Sequence, residues 1–294
     1  MTYSFAVNIY GNQQNQVIDR NNLANPILHH IFLHIKNQST VTLYFKVILD
    51  VGEWDIESPT NGELGSVGSG SEAYKELVIT RSRPSSDVVE SGTLTIECYT
   101  DSGYTNRVGL ETISLTISIV DLESMTEVTI FDFDEGDTEG WSGVEISDLL
   151  SVEPTGYSAY IHHYKSSSVQ PTITGTLTGT ASRSVTLPNR NKVYLSFYFT
   201  LRQYQYLGHW SRLTRLEVYV NGELVHTFVK NIQAPNTGTW STLDKWYKIG
   251  MDLSKYKGQN VVIVIKTYVY YRLEGAGSTT CDVHLDRIVI GGSD

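Results

Sequence analysis

The sequence predicts an all-β protein made of two β-sandwich domains, and three observations carry that expectation. Nearly every periodic stretch alternates apolar and polar residues with period two, in segments dominated by Val, Ile, Thr, Ser and Tyr. Glycine- and proline-punctuated turns separate these stretches. Charge and aromatic content both change near residue 128: residues 1–128 carry 7 Lys+Arg against 16 Asp+Glu and 10 aromatics, and residues 129–294 carry 15 against 16 and 22 aromatics. The expected domains are therefore 1–127 and 129–294, with a short link at Leu122–Glu127 that holds them in a fixed relation. Each is long enough to bury its own core.

Composition narrows the function classes. The net charge of −10 leaves no basic excess in either half, so no nucleic-acid partner is expected. No run approaches the ~18 apolar residues of a membrane span. Met1-Thr2-Tyr3-Ser4-Phe5 shows neither a basic n-region nor an apolar h-region, so no signal peptide is expected. A cytosolic protein, a virion component and a secreted protein in mature form all fit. Cys98 shares parity with Leu94 and Ile96 and reads as a small core hydrophobe; a disulfide to Cys281 is the alternative, and no zinc-type spacing is present.

In the first domain, Val41, Leu43, Phe45, Val47 and Leu49 alternate with Thr42, Tyr44, Lys46 and Ile48. Ile113, Leu115, Ile117 and Ile119 alternate with Thr112, Ser114, Thr116 and Ser118. Such strands put one face in a core and one in water, the antiparallel sandwich pattern. Ser58-Pro59-Thr60-Asn61-Gly62 and Gly65 to Gly70 read as turns, and one helical piece is expected around Asn22 to His29. About seven strands follow from the spacing of turns. Asn37-Gln38-Ser39 is a glycosylation sequon, a tripeptide common by chance.

Trp54-Asp55-Ile56-Glu57-Ser58-Pro59-Thr60-Asn61-Gly62, the Gly/Ser-rich loop after it and Glu76-Leu77-Val78-Ile79-Thr80 together resemble the immunoglobulin-like modules of surface proteins, without an inter-sheet cysteine pair. The resemblance implies a spacer. The second domain offers a longer match. Phe131-Asp132-Phe133-Asp134-Glu135-Gly136 with Gly140-Trp141 is similar to the opening of galactose-binding-like jelly rolls, which include carbohydrate-binding modules and MAM-type adhesion domains. Five pieces follow in the family's order: Gly156 to Ile161, Ser182 to Phe199, Leu216 to Leu224, Trp246 to Gly258 and His284 to Ile290. They imply the fold more than the ligand, because such a fold hosts many functions.

That resemblance also implies a structural calcium joining the first and last strands, held by Asp134, Glu135 and Asp286, with Asp137 adding oxygen from the turn. Ca²⁺ takes six to eight hard oxygens, which carboxylates and loop carbonyls supply. Independently, the inward parity of the last strand runs Cys281, Val283, Leu285 and then shifts to Ile288, Ile290, which implies a bulge near Asp286-Arg287. Arg287 stands where the family has a second Asp.

The candidate ligand face comes from parity. With Val193, Leu195, Phe197 and Phe199 inward, the other face reads Tyr194, Ser196, Tyr198, Thr200, Arg202, Tyr204, Tyr206. With Val261, Ile263 and Ile265 inward, the opposite face ends Lys266, Tyr268, Tyr270, Arg272. Trp210 and Trp240 in neighbouring loops could wall the same site. Aromatic rings stack on sugar C–H faces and arginine binds hydroxyls or carboxylates. Cross-strand tyrosines also stabilise sheets unaided, and Tyr and Arg are equally at home in subunit contacts.

No nucleophile elbow, zincin, P-loop or dinucleotide motif is present, and adjacent His162 and His163 would point to opposite faces of a strand. The chain is therefore expected to be no enzyme. Two readings stand. One is a noncatalytic carbohydrate-binding or adhesion protein of a cell surface or virion, its jelly roll holding a glycan or surface polymer. The other is a structural surface or virion protein, a homo-oligomer whose Tyr-rich face makes subunit contacts.

Overall fold

The structure is a computed structural model that describes residues 3–9, 14–20, 25–151, 156–168, 172–205, 208–234, 239–243 and 246–294. It is all-β, and the chain divides into two compact units, Met1–Asp121 and Leu122–Asp294.

The first unit holds β1 (Phe5–Ile9), β2 (Asn15–Asp19), β3 (Ile27–Asn37), β4 (Leu43–Val51), β5 (Asp55–Ser58), β6 (Glu63–Val67), β7 (Glu72–Arg81), β8 (Val88–Tyr99) and β9 (Arg107–Val120). One sheet runs β1-β3-β7-β5 and the other β2-β9-β8-β4-β6. Their alternating apolar faces bury Ile31, Leu33, Ile35, Phe45, Leu77, Ile79, Leu94, Ile96 and Ile117 in one core. Cys98 lies in that core as a free thiol, as its parity predicted.

Two expectations need correcting here. The helix expected around Asn22 to His29 is not formed where the chain is described: Ile27–Asn37 is a strand paired with β7 from Ile27↔Arg81 to Lys36↔Glu72 (residues 21–24 lie outside the described residues). The apolar spacing of that short window, read on through Ile31, Leu33 and Ile35, has period two; β7 pairs with it from Ile27 onward and β1 pairs with its other edge from Leu33 to Asn37. The described strands also number nine, not about seven, because the β1 and β2 stretches carry too few residues to stand out as periodic. The sequon has a structural use. Asn37 is buried, and its amide donates to the carbonyls of Val41, Val67 and Gly68 at 2.8, 2.9 and 3.1 Å. A glycan on that nitrogen would break a satisfied buried network.

The second unit contains β10 (Glu127–Phe131), β11 (Glu145–Ser147), β12 (Ser158–Ser167), β13 (Ile173–Thr186), β14 (Lys192–Tyr204), β15 (His209–Val220), β16 (Glu223–Phe228), β17 (Trp240–Thr242), β18 (Tyr247–Asp252), β19 (Asn260–Leu273) and β20 (Gly277–Ser293). Leu122–Ser124, read from sequence as part of the link, is a 3₁₀ turn belonging to this unit. The larger sheet runs β11-β12-β20-β14-β18, with β10 also on β20 and β17 also on β14; the smaller runs β13-β19-β15-β16. The inward sets are those expected: Val193, Leu195, Phe197 and Phe199 from β14 meet Val261, Ile263 and Ile265 from β19, all essentially inaccessible to water. Each such side chain contributes about 1.5–3 kcal/mol by leaving water.

The sheets also approach through Gly179. A Cβ there would stand 2.3 Å from Ile161 and 2.8 Å from the His163 ring, so only glycine lets β13 lie this close to β12. The alternate residues of β14 differ from expectation: Tyr194, Ser196, Tyr198 and Thr200 are buried too, so among the described residues of that row only Arg202 and Tyr204 reach partial exposure.

Candidate functional site

The last strand organises this unit. Across β14 its register jumps from Ser196↔Val289 to Tyr198↔Asp286, so β20 carries one extra residue there. Arg287 adopts φ 47° at that point, the bulge inferred from parity. On its other edge β20 changes partner at the same place, from β12 (up to Leu285) to β10 (from Ile288). The bulge aims Asp286 into a buried position. One carboxylate oxygen accepts the Arg287 N–H at 2.7 Å and the other the Ser151 hydroxyl at 3.1 Å. Asp134 reaches the same place from the turn after β10: a Cβ on Gly156 would lie 2.1 Å from Asp134 Oδ1 and 2.7 Å from Ser151 Oγ. Asp134 and Asp286 are thus gathered around Ser151. Glu135, like Asp134, is exposed in the turn. Among the described residues no three His, Cys, Asp or Glu side chains come close enough to hold a metal. The Arg287 guanidinium turns away into a two-pronged pair with Glu123 at 2.8 and 2.9 Å.

The expected ligand residues are not brought together. β14 and β19 lie in different sheets, and with their odd residues inward their even residues face away from each other, on opposite sides of the sandwich. Trp210, Tyr268, Tyr270 and Arg272 share the outer face of the smaller sheet; Arg202 and Tyr204 share that of the larger, and Tyr206 lies outside the described residues.

The smaller sheet's face is closed upon itself. Arg212 lies 5.3 Å from both the Trp210 and Tyr270 rings. Arg215 stacks 4.0 Å over Tyr268 and pairs with Glu217 at 3.1 Å. Glu217 also accepts the hydroxyls of Tyr268 and Tyr219, both at 2.7 Å, and Arg272 pairs with Glu274 at 2.6 Å.

The larger sheet's face is open. Registry lays its outward residues in rows across the strands. His162, Asp282, Arg202 and Thr242 form one row; Tyr164, Thr280, Tyr204 and Trp240 form the next, and Tyr160, His284 and Thr200 lie behind. The middle of these rows is low and buried, with Asp282 only 4% exposed and Thr280 similar, whereas the ends stand up: Tyr164 is 55% and Trp240 43% exposed. With strands ~4.8 Å apart, each four-residue row spans ~14 Å from β12 to β17. The result is a trough with a polar floor and an aromatic wall at each end.

Its walls are braced. The Arg202 guanidinium sits 4.2 Å over the Trp240 ring, and Tyr204 packs against the same indole at 5.7 Å. The His162 and Tyr164 rings run parallel, and His162 Nδ1 lies 2.7 Å from Asp282 Oδ1. Burial pushes the Asp282 carboxyl above the usual range, against the opposing bond from His162. Behind, Tyr160 stacks on His284 at 5.2 Å and donates to Glu145 at 2.6 Å, a bond that with burial pushes its hydroxyl up to about 12. His163 points the other way, into the core, as strand geometry requires; burial lowers it to about 4 and its Nε2 meets Thr267 Oγ1 at 2.8 Å. Sequence reasoning missed Asp282, His162 and Tyr164. The parity of β20 already placed Thr280, Asp282 and His284 outward, but only the pairing of β12 with β20 shows what they face.

No family model matches the chain, and no curated protein matches it. Solved structures resemble it distantly. A member of the MSP family from C. elegans is 14% identical, covering 40% of this chain and 97% of that one at a TM-score of 0.25. A family 35 carbohydrate-binding module from Clostridium thermocellum is 14% identical over 57% of this chain and 100% of that one, TM-score 0.28. A family 28 module specific for non-crystalline cellulose is 13% identical over 53% and 89%, TM-score 0.31. At these scores the likenesses bear on neither site nor ligand; the strand pairings themselves define the fold.

Proposed function

We propose that the second unit is a noncatalytic carbohydrate-binding module whose trough on the larger sheet receives a polysaccharide segment, in a protein that works outside the cell or on a virion. One observation carries this reading: two exposed aromatic rings, Trp240 and Tyr164, stand at either end of a buried polar floor. Sugars present apolar C–H faces to rings and hydroxyls to polar groups, and this surface offers both in one row. Arg202, His162 and Asp282 are the hydroxyl partners, and Tyr204 holds the indole in place. A span of ~14 Å across the strands suits several sugar units better than one. As part of the same reading, calcium bound through Asp134 and Asp286, with Glu135 beside them in the turn, stiffens the end of β20.

The subunit-contact reading drew on tyrosines of both strands: on the smaller sheet the Tyr268 hydroxyl is committed to Glu217, and on the larger one Tyr194 and Tyr198 are buried. The deciding experiment is affinity electrophoresis in gels holding neutral and acidic polysaccharides. The native protein is expected to be retarded by at least one of them, and Trp240→Ala and Tyr164→Ala to run freely. Migration unaffected by every polymer, in a protein that light scattering shows to be a stable oligomer, would hand the case to the subunit-contact reading.

A further inference from the structure

Away from the trough, the turn after β10 folds over a set of donors that have nothing to donate to. Arg183 of β13 lays its guanidinium 4.2 Å from the Phe131 ring. Gly140, at φ 75°, lets the turn lie directly upon it, since a Cβ there would stand 2.9 Å from Nη1. Nε and Nη1 of Arg183 are sheltered from solvent with no hydrogen-bond partner. Trp141, 3% exposed, packs edge-on to the same Phe131 ring at 6.0 Å, and its indole N–H also lacks an acceptor. Buried donors left unpaired are costly, charged ones most of all. Three of them around one ring, with no acceptor among the described residues, form a donor-only environment.

In front of Arg183 opens a groove of about 340 Å³, lined by Gly140, Ser142, Ser182, Arg183, Ser184 and Val262. The Ser142 and Ser182 hydroxyls are 2.8 Å apart, and Ser142 Oγ also lies 3.1 Å from the Ser182 carbonyl it can donate to, so an incoming acceptor would compete with these bonds for a hydroxyl proton. The carboxylate acting on Arg183 is Glu139, which approaches the Phe133 N–H at 3.4 Å and makes no ion pair with the guanidinium.

We propose that this groove is an oxyanion site, taking a carboxylate or sulfate group on Arg183 with the serine hydroxyls beside it. Arginine presents a planar fork of donors that matches either group, and its stacking on Phe131 fixes the plane of that fork in advance. The site does not depend on the trough, and a protein that binds no polysaccharide there would still have it.

The test is titration of the ¹⁵N-labelled full chain with inorganic sulfate and, separately, with acetate, each against sodium chloride of equal ionic strength. The Arg183 Nε–H and Trp141 Nε1–H resonances are expected to shift saturably with one oxyanion or both, and not with chloride. Whichever titration saturates identifies the preferred group. Arg183→Gln is expected to weaken binding at least about tenfold and Glu139→Gln to tighten it about threefold, by removing a like charge. Shifts that never saturate, or that match chloride, would overturn the site. If Arg183→Gln fails to fold, the native titration and Glu139→Gln still decide.

Discussion

The two outer faces of the second unit share a composition and differ in how it is used. Each carries tryptophan, tyrosine and arginine on its outward positions, the larger sheet's tryptophan on the short β17. On the smaller sheet the polar groups engage one another and the rings: Glu217 gathers Arg215 and two tyrosine hydroxyls, Arg272 has Glu274, and Arg212 lies against the Trp210 and Tyr270 rings. On the larger sheet the same residue types brace one another yet leave Trp240 and Tyr164 open to water above a floor that holds a buried carboxylate. An aromatic-rich face is therefore a site only where its surfaces remain unspent. A closed network stabilises a sheet, and an open one invites a ligand.

The largest expected effect falls on both faces alike and sets the baseline for separating them. His163, His226 and His284 are buried neutral, their pKa values lowered by burial to about 4, about 3 and about 3 from an ordinary 6.5. The unfolded chain therefore binds more protons than the folded one below pH 6.5. Their contribution is fully present above that value and is lost as pH falls toward 3–4, each at about 1.4 kcal/mol per pH unit. Asp282 works in the opposite direction: its raised carboxyl favours the folded state below the ordinary aspartate range, and that share is lost as pH rises through the raised value. Chemical denaturation at pH 7 and pH 5 should show the acid sample much the weaker, and equal stabilities would mean that these rings are not buried neutral.

The next effect separates the faces. Trp240→Ala should weaken polysaccharide binding at least tenfold, about 1.4 kcal/mol or more, and Trp210→Ala should leave it unchanged. If the two substitutions act equally, or the order is reversed, the contrast between open and closed faces is mistaken. In the converse experiment Tyr268→Phe removes one hydroxyl from Glu217. It should lower unfolding stability by about 1–2 kcal/mol without touching binding. A binding defect from Tyr268→Phe would return the site to the face first expected from sequence.

Parity made much of this visible in advance. The inward rows of β14 and β19, the free buried thiol of Cys98 and the bulge at Arg287 all follow from period-two spacing within one strand. What parity could not supply is which strands are neighbours. Tyr204 and Tyr270 look alike as alternate residues of amphipathic strands, and nothing local says that their strands belong to different sheets. Asp282 meets His162 across 120 positions of sequence, a separation at which only the folded register reports contact.

The smallest expected effect concerns what steadies the open face. Asp286 lies at the bulge, on the same strand and the same side as Asp282, so a cation joining it to Asp134 would stiffen the strand that floors the trough. Calcium should then raise the melting temperature by a few degrees, EDTA should reverse the rise, and saturation at 100 times the dissociation constant would correspond to about 2.7 kcal/mol. Asp286→Ala is an ambiguous control, because it also strips the acceptor from Ser151 and the Arg287 N–H. Asp134→Asn is the cleaner one, since that side chain is exposed and its loss should abolish the calcium response with little change to the metal-free protein. If calcium shifts nothing, Asp286 is an acceptor that fixes the bulge, and the larger sheet holds its trough by pairing and packing alone.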